Sequence, residues 1–138
     1  NQFKKACSEN NITLNQKRNG SASMEQNIKG VQEAYLAPAL QSQWQCDHGY
    51  IPCRIFKNIS YGALGVTNNE TVYNLFNKKI VFNSNPHQLF YDAQKALANH
   101  TLEKQRELME FVRDNHTYLN RIETLFQFFE KVAHHKGK

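Results

Sequence analysis

Two short apolar runs, separated by a polar segment with helical signals, constrain this chain more than any other feature. Residues 63 to 67, ALGVT, and residues 79 to 83, KIVFN, have the composition of buried strands. The intervening residues 68 to 78, NNETVYNLFNK, begin with asparagines, which favour a helix N-cap. A strand, a helix and a second strand at this spacing predict a parallel pair of strands joined by a helical crossover.

The remaining segments extend this alternation. Ser23 with Gln26 forms a capping-box pattern, Asn85 precedes Pro86 at a favoured helix start, and Thr101 has the character of a further cap. We predict a brief strand at 12 to 16 and helices at 2 to 11, 24 to 35, 53 to 61, 86 to 100, and from 102 to about 131 with a break at 114 to 117. The fold class predicted is α/β, a Rossmann-like three-layer domain with a mainly parallel sheet of about four strands and a long C-terminal helical region.

The length of 138 residues predicts a single domain, over residues 1 to 132, followed by a flexible basic tail at 133 to 138. The last helical region contains a long apolar stripe. Its members are Leu102, Leu108, Met109, Val112, Leu119, Ile122, Phe126 and Phe129.

The net charge of +5 arises from 17 Lys and Arg against 12 Asp and Glu, and it favours anionic partners. The basic residues are mostly lysines scattered along the chain, whereas a surface that follows nucleic-acid phosphates would be denser. Nucleic acid is therefore disfavoured as a partner.

Cysteines and glycosylation sequences bear on the compartment. The three cysteines form neither an even disulfide framework nor a close metal-binding pair, which favours a reducing environment. No apolar run is long enough to span a bilayer. Six Asn-x-Ser/Thr sequences begin at Asn11, Asn19, Asn58, Asn69, Asn99 and Asn115. Because the chain is rich in Asn, we interpret them as compositional and predict a cytoplasmic location, with a secretory lumen as the alternative.

Several kinds of catalytic site are absent from the sequence. It contains no Gly-x-Ser-x-Gly elbow, no Gly-rich phosphate loop, and no histidine pair with metal-ligand spacing and a third ligand in reach. We therefore predict neither a metal site nor a cofactor. His48 is the one histidine retained as a candidate, because its loop would face a ligand cleft. It could accept a proton or contact a sugar, the alternative being an ordinary surface residue.

The stretch GYIPCRIFKNISYG, residues 49 to 62, carries two cations among apolar residues. Pro52 suits the first turn of a helix, where free backbone N–H groups attract anions. Arg54 adds a planar fork suited to phosphate oxygens, and Lys57 lies one turn further along the same face. The pattern predicts a seat for a diphosphate. The alternative is an amphipathic helix with two solvated charges.

In open parallel sheets, ligands bind outside the carboxyl ends of the strands. Two segments are expected at that edge, the loop from residue 41 to 53 and the residues from Thr67 to Glu70. Gly49, Tyr50, Thr67 and Asn68 therefore join the candidate ligand-binding residues.

Three runs together resemble a known family. They are CRIFKNISYGALGVTNN from residue 53, LFNKKIVFNSNPHQLFYDAQKAL from residue 75, and NHTYLNRIETLFQFF from residue 115. In this order they resemble the C-terminal half of glycosyltransferases with the GT-B fold, and are most similar to spore-maturation-type glycosyltransferases. The resemblance covers roughly residues 25 to 130.

The resemblance implies a domain that binds a nucleotide-diphosphate sugar as donor substrate, without a metal. Arg54 would lie near the diphosphate, and Thr67 and Asn68 near the donor. A separate N-terminal domain or partner chain would hold the acceptor. A chain of 138 residues that opens on Asn1 has no room for such a domain, so we expect a fragment that is inactive alone.

The sequence departs from the family at two acidic positions. Lys57 stands where many GT-B enzymes have a Glu that holds the ribose of the donor, and Gly49 stands at the second acidic position. A cation cannot accept hydrogen bonds from ribose hydroxyls. The alternatives to a donor-binding domain are a non-catalytic interaction module on the same fold and, third, a basic nucleic-acid-binding domain.

Overall fold

The computed structural model of this protein describes residues 2 to 15 and 22 to 136. These residues form eight helices and two short strands. The helices are α1 (Gln2–Glu9), α2 (Met24–Gln32), α3 (Gln43–Asp47), α4 (Cys53–Ser60), α5 (Glu70–Leu75), α6 (Pro86–Ala98), α7 (Leu102–Asn115) and α8 (Tyr118–Lys136). The strands are β1 (Val66–Thr67) and β2 (Val81–Phe82).

Side-chain caps fix the starts of three helices at the predicted residues. The Ser23 hydroxyl accepts the backbone N–H of Gln26, whose side chain accepts the Ser23 N–H, so α2 begins with a capping box. Asn85 and Thr101 cap α6 and α7, and Pro86 occupies the first turn of α6. Each cap satisfies N–H groups that have no partner within the helix, which is why sequence signals located these starts correctly.

The sheet is much smaller than predicted. β1 and β2 pair in parallel, with Val66 opposite Val81 and Thr67 opposite Phe82. One isolated parallel bridge joins Ala39 to Thr67 beside them. The predicted Rossmann-like three-layer domain with about four strands is therefore wrong. The described part of the chain is mostly helical, and its sheet has two strands.

Apolar segments are buried here without forming ladders. In residues 12 to 15, Ile12 and Leu14 are half-buried and alternate with exposed residues, as in a strand. Their side chains pack against the core, and the Ile12 N–H donates to the Cys7 carbonyl at the end of α1 and not to a strand. Next to Ala39, Pro38 has no N–H to donate, which limits pairing on that side. Alternating burial decides which side chains face the core, whereas a ladder also needs a neighbouring strand edge.

Two apolar clusters lie on opposite sides of the strands. Ile80 and Val81 are adjacent in sequence and contact different clusters, as successive residues of an extended chain do. The α4–α7 cluster consists of Ala39, Ile55, Phe56, Ile59, Val72, Phe76, Ile80, Leu108 and Val112. The α1–α6 cluster consists of Phe3, Ala6, Cys7, Val66, Leu89, Phe90 and Ala93.

The C-terminal apolar stripe is divided between a buried and an exposed helix. On α7, Leu108 and Val112 are buried in the α4–α7 cluster. On α8, every side chain from residue 118 to 133 is exposed except that of Asn120, which is half-buried. The helix continues to Lys136, and residues 137 and 138 lie outside the described residues.

Two further sequence features have structural outcomes. Within the described ranges, no helix is both long enough and apolar enough to cross a membrane. Asn58 and Asn69 are buried and hydrogen-bonded, so two of the six glycosylation sequences are inaccessible in the folded chain. Asn19 lies outside the described residues.

Candidate functional site

A polar pocket lies at the carboxyl ends of the two parallel strands. Its volume is about 220 Å³. We call it the edge pocket. Its lining comes from α3, from the segment that joins β1 to α5, and from the end of β2. The lining residues are Gln43, Cys46, Asp47, Asn68, Asn69, Glu70, Thr71, Phe82 and Ser84.

The first wall is α3, a five-residue helix within the segment from 41 to 53 that was predicted to be a loop. The Ser42 hydroxyl accepts the N–H of Gln45, and the Gln45 side chain accepts the N–H of Ser42. This capping box repeats that of Ser23 and Gln26, so a signal for the helix was present in the sequence. Within α3, the Gln43 amide donates to Asp47 Oδ1 at 2.7 Å and orients its carboxylate.

The second wall is held by two buried asparagines. Asn68 Oδ1 accepts the backbone N–H of Gln41 at 2.8 Å, and its Nδ2 donates to the Gln41 carbonyl at 3.0 Å. Asn69 Oδ1 caps α5 by accepting the N–H of Thr71 at 2.8 Å. Its Nδ2 donates to the carbonyl of Tyr50 at 3.0 Å. Both amides are therefore committed to holding the loops that form the wall.

The groups available to a ligand are acidic or hydroxylic. Asp47 and Glu70 supply carboxylates, and Thr71 and Ser84 supply hydroxyls. No Lys or Arg is among the lining residues. Carboxylates accept hydrogen bonds and repel phosphate. The edge pocket therefore suits a ligand group with hydroxyl or amine donors.

Cys46 also lines the pocket, with its Sγ 3.8 Å from the carbonyl oxygen of Asn68. Burial raises the pKa of the Cys46 thiol, and the nearby Asp47 carboxylate raises it further. A thiol with a raised pKa is protonated at neutral pH and is a poor nucleophile. Cys46 therefore acts as a neutral wall residue.

Four predicted site residues come together around the start of α5. Gly49 has a φ of +63° and lies beside Thr71, and the Tyr50 carbonyl binds Asn69. Asn68 lines the edge pocket, but its amide is occupied by Gln41. Thr67 is fully buried, and its hydroxyl accepts the N–H of Asn69.

The two predicted cations lie outside the lining of the pocket. α4 begins after Pro52, as predicted, and Pro52 supplies no side-chain acceptor to its first turn. Arg54 and Lys57 share the exposed face of α4, with no ion pair to either among the described residues. The expected geometry of two cations at i and i+3 is present, but on the surface beside the pocket's supporting loop.

His48 ends α3 and also lies outside the pocket lining. Its ring stacks on Trp44 at a centroid distance of 4.4 Å. Its Nδ1 lies 2.8 Å from the Trp44 carbonyl oxygen. Because a carbonyl only accepts, Nδ1 carries the proton and Nε2 is the ring atom left to accept one from a ligand. The role of His48 as a proton acceptor stays a prediction.

Asp47 and Glu70 give the pocket its charge, and Ser84 adds a hydroxyl. Asp47 and Glu70 lie within the two segments expected at this edge, but none of the three was predicted as a site residue. Each follows or precedes a capping signal, so only the meeting of three separate chain segments makes them neighbours. Among the residues that the structure describes, no group of three or more His, Cys, Asp or Glu side chains is arranged to hold a metal ion.

Comparison with family models, with curated proteins and with solved structures found no match to this chain. The candidate site therefore has to be interpreted from its own chemistry.

Proposed function

We propose that this chain is the donor-binding domain of a glycosyltransferase, and that the edge pocket holds a hydroxyl-bearing ring of a nucleotide-diphosphate sugar. The observation that supports it most is the lining of the pocket. Asp47, Glu70 and Thr71, which carry carboxylate or hydroxyl groups, all line it at the carboxyl edge of a parallel strand pair, and ligands of open parallel sheets bind at that edge.

The size of the pocket limits what enters it. Its volume of about 220 Å³ is below the roughly 300 to 1,000 Å³ of sites that enclose drug-sized ligands. One sugar or ribose ring is the part of the donor proposed to enter. The rest of the donor lies across the surface.

The carboxylates of the edge pocket also compensate for Lys57, which stands where many GT-B enzymes have a ribose-binding Glu. A ribose needs acceptors for its hydroxyl protons, and Lys57 cannot supply them. In this proposal, Asp47 and Glu70, which line the edge pocket, take over that role. The sequence thus keeps an acidic contact to the ring while moving it to different positions.

The diphosphate lies outside the pocket in this proposal, because two carboxylates repel it and no cation lines the cavity. Arg54 follows Tyr50 by four residues, so their Cα atoms are within about 14 Å of each other. Arg54 and Lys57 are the nearest cations along that loop, and they would neutralise the phosphates. Transfer would further require acceptor-binding groups from another domain or chain.

Titration with a panel of uridine, guanosine and thymidine diphosphate sugars, followed by Trp44 fluorescence, tests the proposal. Trp44 is exposed on α3 between two pocket residues. We expect saturable binding to one base type. Because hydrogen bonds to charged groups contribute about 1.5–3 kcal/mol, Asp47→Asn and Glu70→Gln should each weaken binding at least about tenfold. Glu103→Gln, on the exposed face of α7, is the matched control.

Comparison of a nucleoside with its diphosphate separates the two parts of the site. Arg54→Ala should weaken the diphosphate and leave the nucleoside unchanged, whereas Asp47→Asn should weaken both. Donors that never saturate, or pocket variants that bind as the wild type does, would refute the proposal. Salt-dependent binding to oligonucleotides without donor binding would instead support the basic nucleic-acid-binding alternative.

A further inference from the structure

The apolar face of α8 is an exposed surface that the proposed function does not use. Leu119, Ile122, Phe126 and Phe129 follow the three- and four-residue spacing of a helix–helix seam, and each is about half to three-quarters exposed. Tyr118, Leu125, Phe128 and Val132 widen the face. A contiguous patch of this kind marks an interaction site, because single exposed apolar residues would be scattered.

One edge of this face is acidic. Glu123 and Glu130 are seven residues apart and lie next to each other along the same side of the apolar stripe. A spacing of seven residues is about 10.5 Å along a helix. A partner surface should therefore be apolar, with two positive charges about 10 Å apart on one side.

A surface with these properties lies on α7. A groove of about 600 Å³ runs along α7, beside the end of α4. Its outer wall presents Leu102 and Met109, which are 90% and 37% exposed. Arg106 and Arg113 also line it, on the outer side of these two residues, and they are seven residues apart. We call this groove the α7 groove.

The α7 groove and the α8 face match in three respects. Both are apolar along their length, and α7 from Leu102 to Arg113 extends about 16 Å, close to the length of the α8 stripe. Glu123 and Glu130 on the α8 edge have the same spacing as Arg106 and Arg113 on the α7 edge, where Glu110 lines the groove between the two arginines. Arg106 and Arg113 have carboxylate neighbours in their own helix, at Glu110 and Asp114, but these ion pairs are exposed. Such pairs contribute at most about 1 kcal/mol, so exchanging partners is easy.

We propose that the chain forms a two-fold symmetric dimer in which α8 of each copy lies in the α7 groove of the other. In each of the two equivalent contacts, Glu123 and Glu130 of one copy then face Arg106 and Arg113 of the other copy. The two-fold axis forms both contacts between the same two copies, so each helix and each groove is used and the assembly does not propagate. The inference is independent of donor binding, since none of these residues lines the edge pocket.

The surface area supports a stable interface. A compact monomer of 16.1 kDa exposes roughly 7,400 Å², and this chain exposes 10063 Å². The excess is well above the ~800 Å² per partner that a standard interface buries. Within one chain the start of α8 is fixed, because the Asn120 amide donates to the Asp114 carbonyl and Arg121 lies over the Phe56 ring.

Sedimentation equilibrium of the full chain tests the dimer. We expect a mass of about twice 16.1 kDa at tens of micromolar protein. Phe126→Asp on α8 and Leu102→Asp in the α7 groove should each raise the dimer dissociation constant at least about a hundredfold. Both side chains are exposed, so the monomer should stay folded by circular dichroism. Thr124→Asp places the same charge on the side of α8 opposite Phe126 and should leave the mass unchanged.

Charge exchange identifies the contacting surfaces. The variant Glu123→Arg with Glu130→Arg, and the variant Arg106→Glu with Arg113→Glu, should each be monomeric because like charges meet. Mixing the two should give a heterodimer with opposite charges at both contacts. The mixed mass also excludes closure of α8 on its own chain, which mixing could not restore.

A wild-type chain that stays monomeric at these concentrations would overturn the proposal. So would a dimer unaffected by Leu102→Asp, or reversed variants that do not recombine. Binding of a monomeric chain to phosphatidylcholine–phosphatidylserine vesicles through Phe126 would identify a membrane surface as the occupant instead, and would likewise overturn it.

Discussion

Helices α7 and α8 follow one another with a break of two residues, and both carry apolar stripes, yet their fates differ. α7 buries Gln105, Leu108 and Val112 against α4. α8 has more large apolar residues and leaves all of those described exposed. An apolar stripe shows that a helix has a surface to bury, whereas burial itself depends on whether a second surface is within reach.

Truncation of one phenylalanine in each region should show the largest difference. Phe76 is fully buried in the α4–α7 cluster, and Phe126 on α8 is 64% exposed. We expect Phe76→Ala to lower the free energy of unfolding by about 3–5 kcal/mol because it leaves a cavity. Phe126→Ala should change it by no more than about 0.5 kcal/mol in the monomer. Urea denaturation at low protein concentration measures both.

If Phe126→Ala proved as costly as Phe76→Ala at concentrations where the chain is monomeric, α8 would have to pack against its own chain. The difference in burial between α7 and α8 would then not hold.

Two glutamines provide a polar version of the same comparison. Gln105 is buried on α7, and its amide lies 3.3 Å from the carbonyl oxygens of both Ile59 and Ala63, to which it donates. Gln127 is exposed on α8. Gln105→Ala should cost about 1–3 kcal/mol, because it leaves buried carbonyls without their donor. Gln127→Ala should be neutral or slightly stabilising, since Ala favours helices.

Hydrogen exchange at Ile59 and Ala63 would localise the effect of Gln105→Ala to the contact between α4 and α7. An equal loss of stability in both variants would contradict the difference in burial on which this prediction depends.

The joint between the two helices should show the smallest effect, through His116. Its ring lies among Phe56, Phe76 and Phe111, at centroid distances of 5.1, 5.5 and 5.3 Å. Its Nε2 is buried and has no hydrogen-bond partner among the described residues. Burial lowers the pKa of His116 from its ordinary value of 6.5, and the charge of Arg121 lowers it further.

This lowered pKa makes stability depend on pH in one direction. Below pH 6.5 the unfolded chain takes up a proton on His116 that the folded chain does not, so unfolding becomes easier as the pH falls. We expect the midpoint temperature of thermal unfolding to decrease as the pH is lowered from 7.5 to 5.5. His116→Phe should abolish most of that decrease and raise stability at neutral pH by about 1 kcal/mol.

The carboxylates of Glu9 and Asp114 do not contribute to this pH dependence, because their charge does not change over the same range. Hydrogen bonds from His87 and Tyr91 lower the pKa of Glu9, and the hydrogen bond from Arg113 lowers that of Asp114. Both groups therefore stay charged above pH 5. An unchanged pH dependence in His116→Phe would assign the effect to another group.

Local signals predicted the helices better than the sheet. Ser23, Asn85 and Thr101 act on N–H groups within a few residues, so their effect can be read from sequence. The strands depend on edges supplied by distant segments. KIVFN and ALGVT pair over two residues each, and the order of strand, helix and strand is confirmed, but the extent of the sheet was not predictable from their composition.

The candidate site was likewise predicted in part. Gly49, Tyr50, Thr67 and Asn68 were expected at the carboxyl edge, and the structure brings them to the start of α5. Tyr50, Thr67 and Asn68, however, already make hydrogen bonds that hold the loops around the pocket. The carboxylates of Asp47 and Glu70 lie in the two segments expected at this edge, but they were not chosen as site residues, because nothing in the local sequence distinguishes Asp47 from any other exposed acid.

The sequence by itself determined where most of the helices begin, which residues are apolar, and that two strands flank a helical crossover, because these follow from backbone capping and side-chain periodicity. Only the tertiary structure decided which apolar faces are covered. Leu108 of α7 packs against α4 and is buried, whereas Phe126 of α8 is 64% exposed and belongs to neither apolar cluster of the described residues. Burial is a property of two surfaces, and a sequence specifies each surface without specifying their contact.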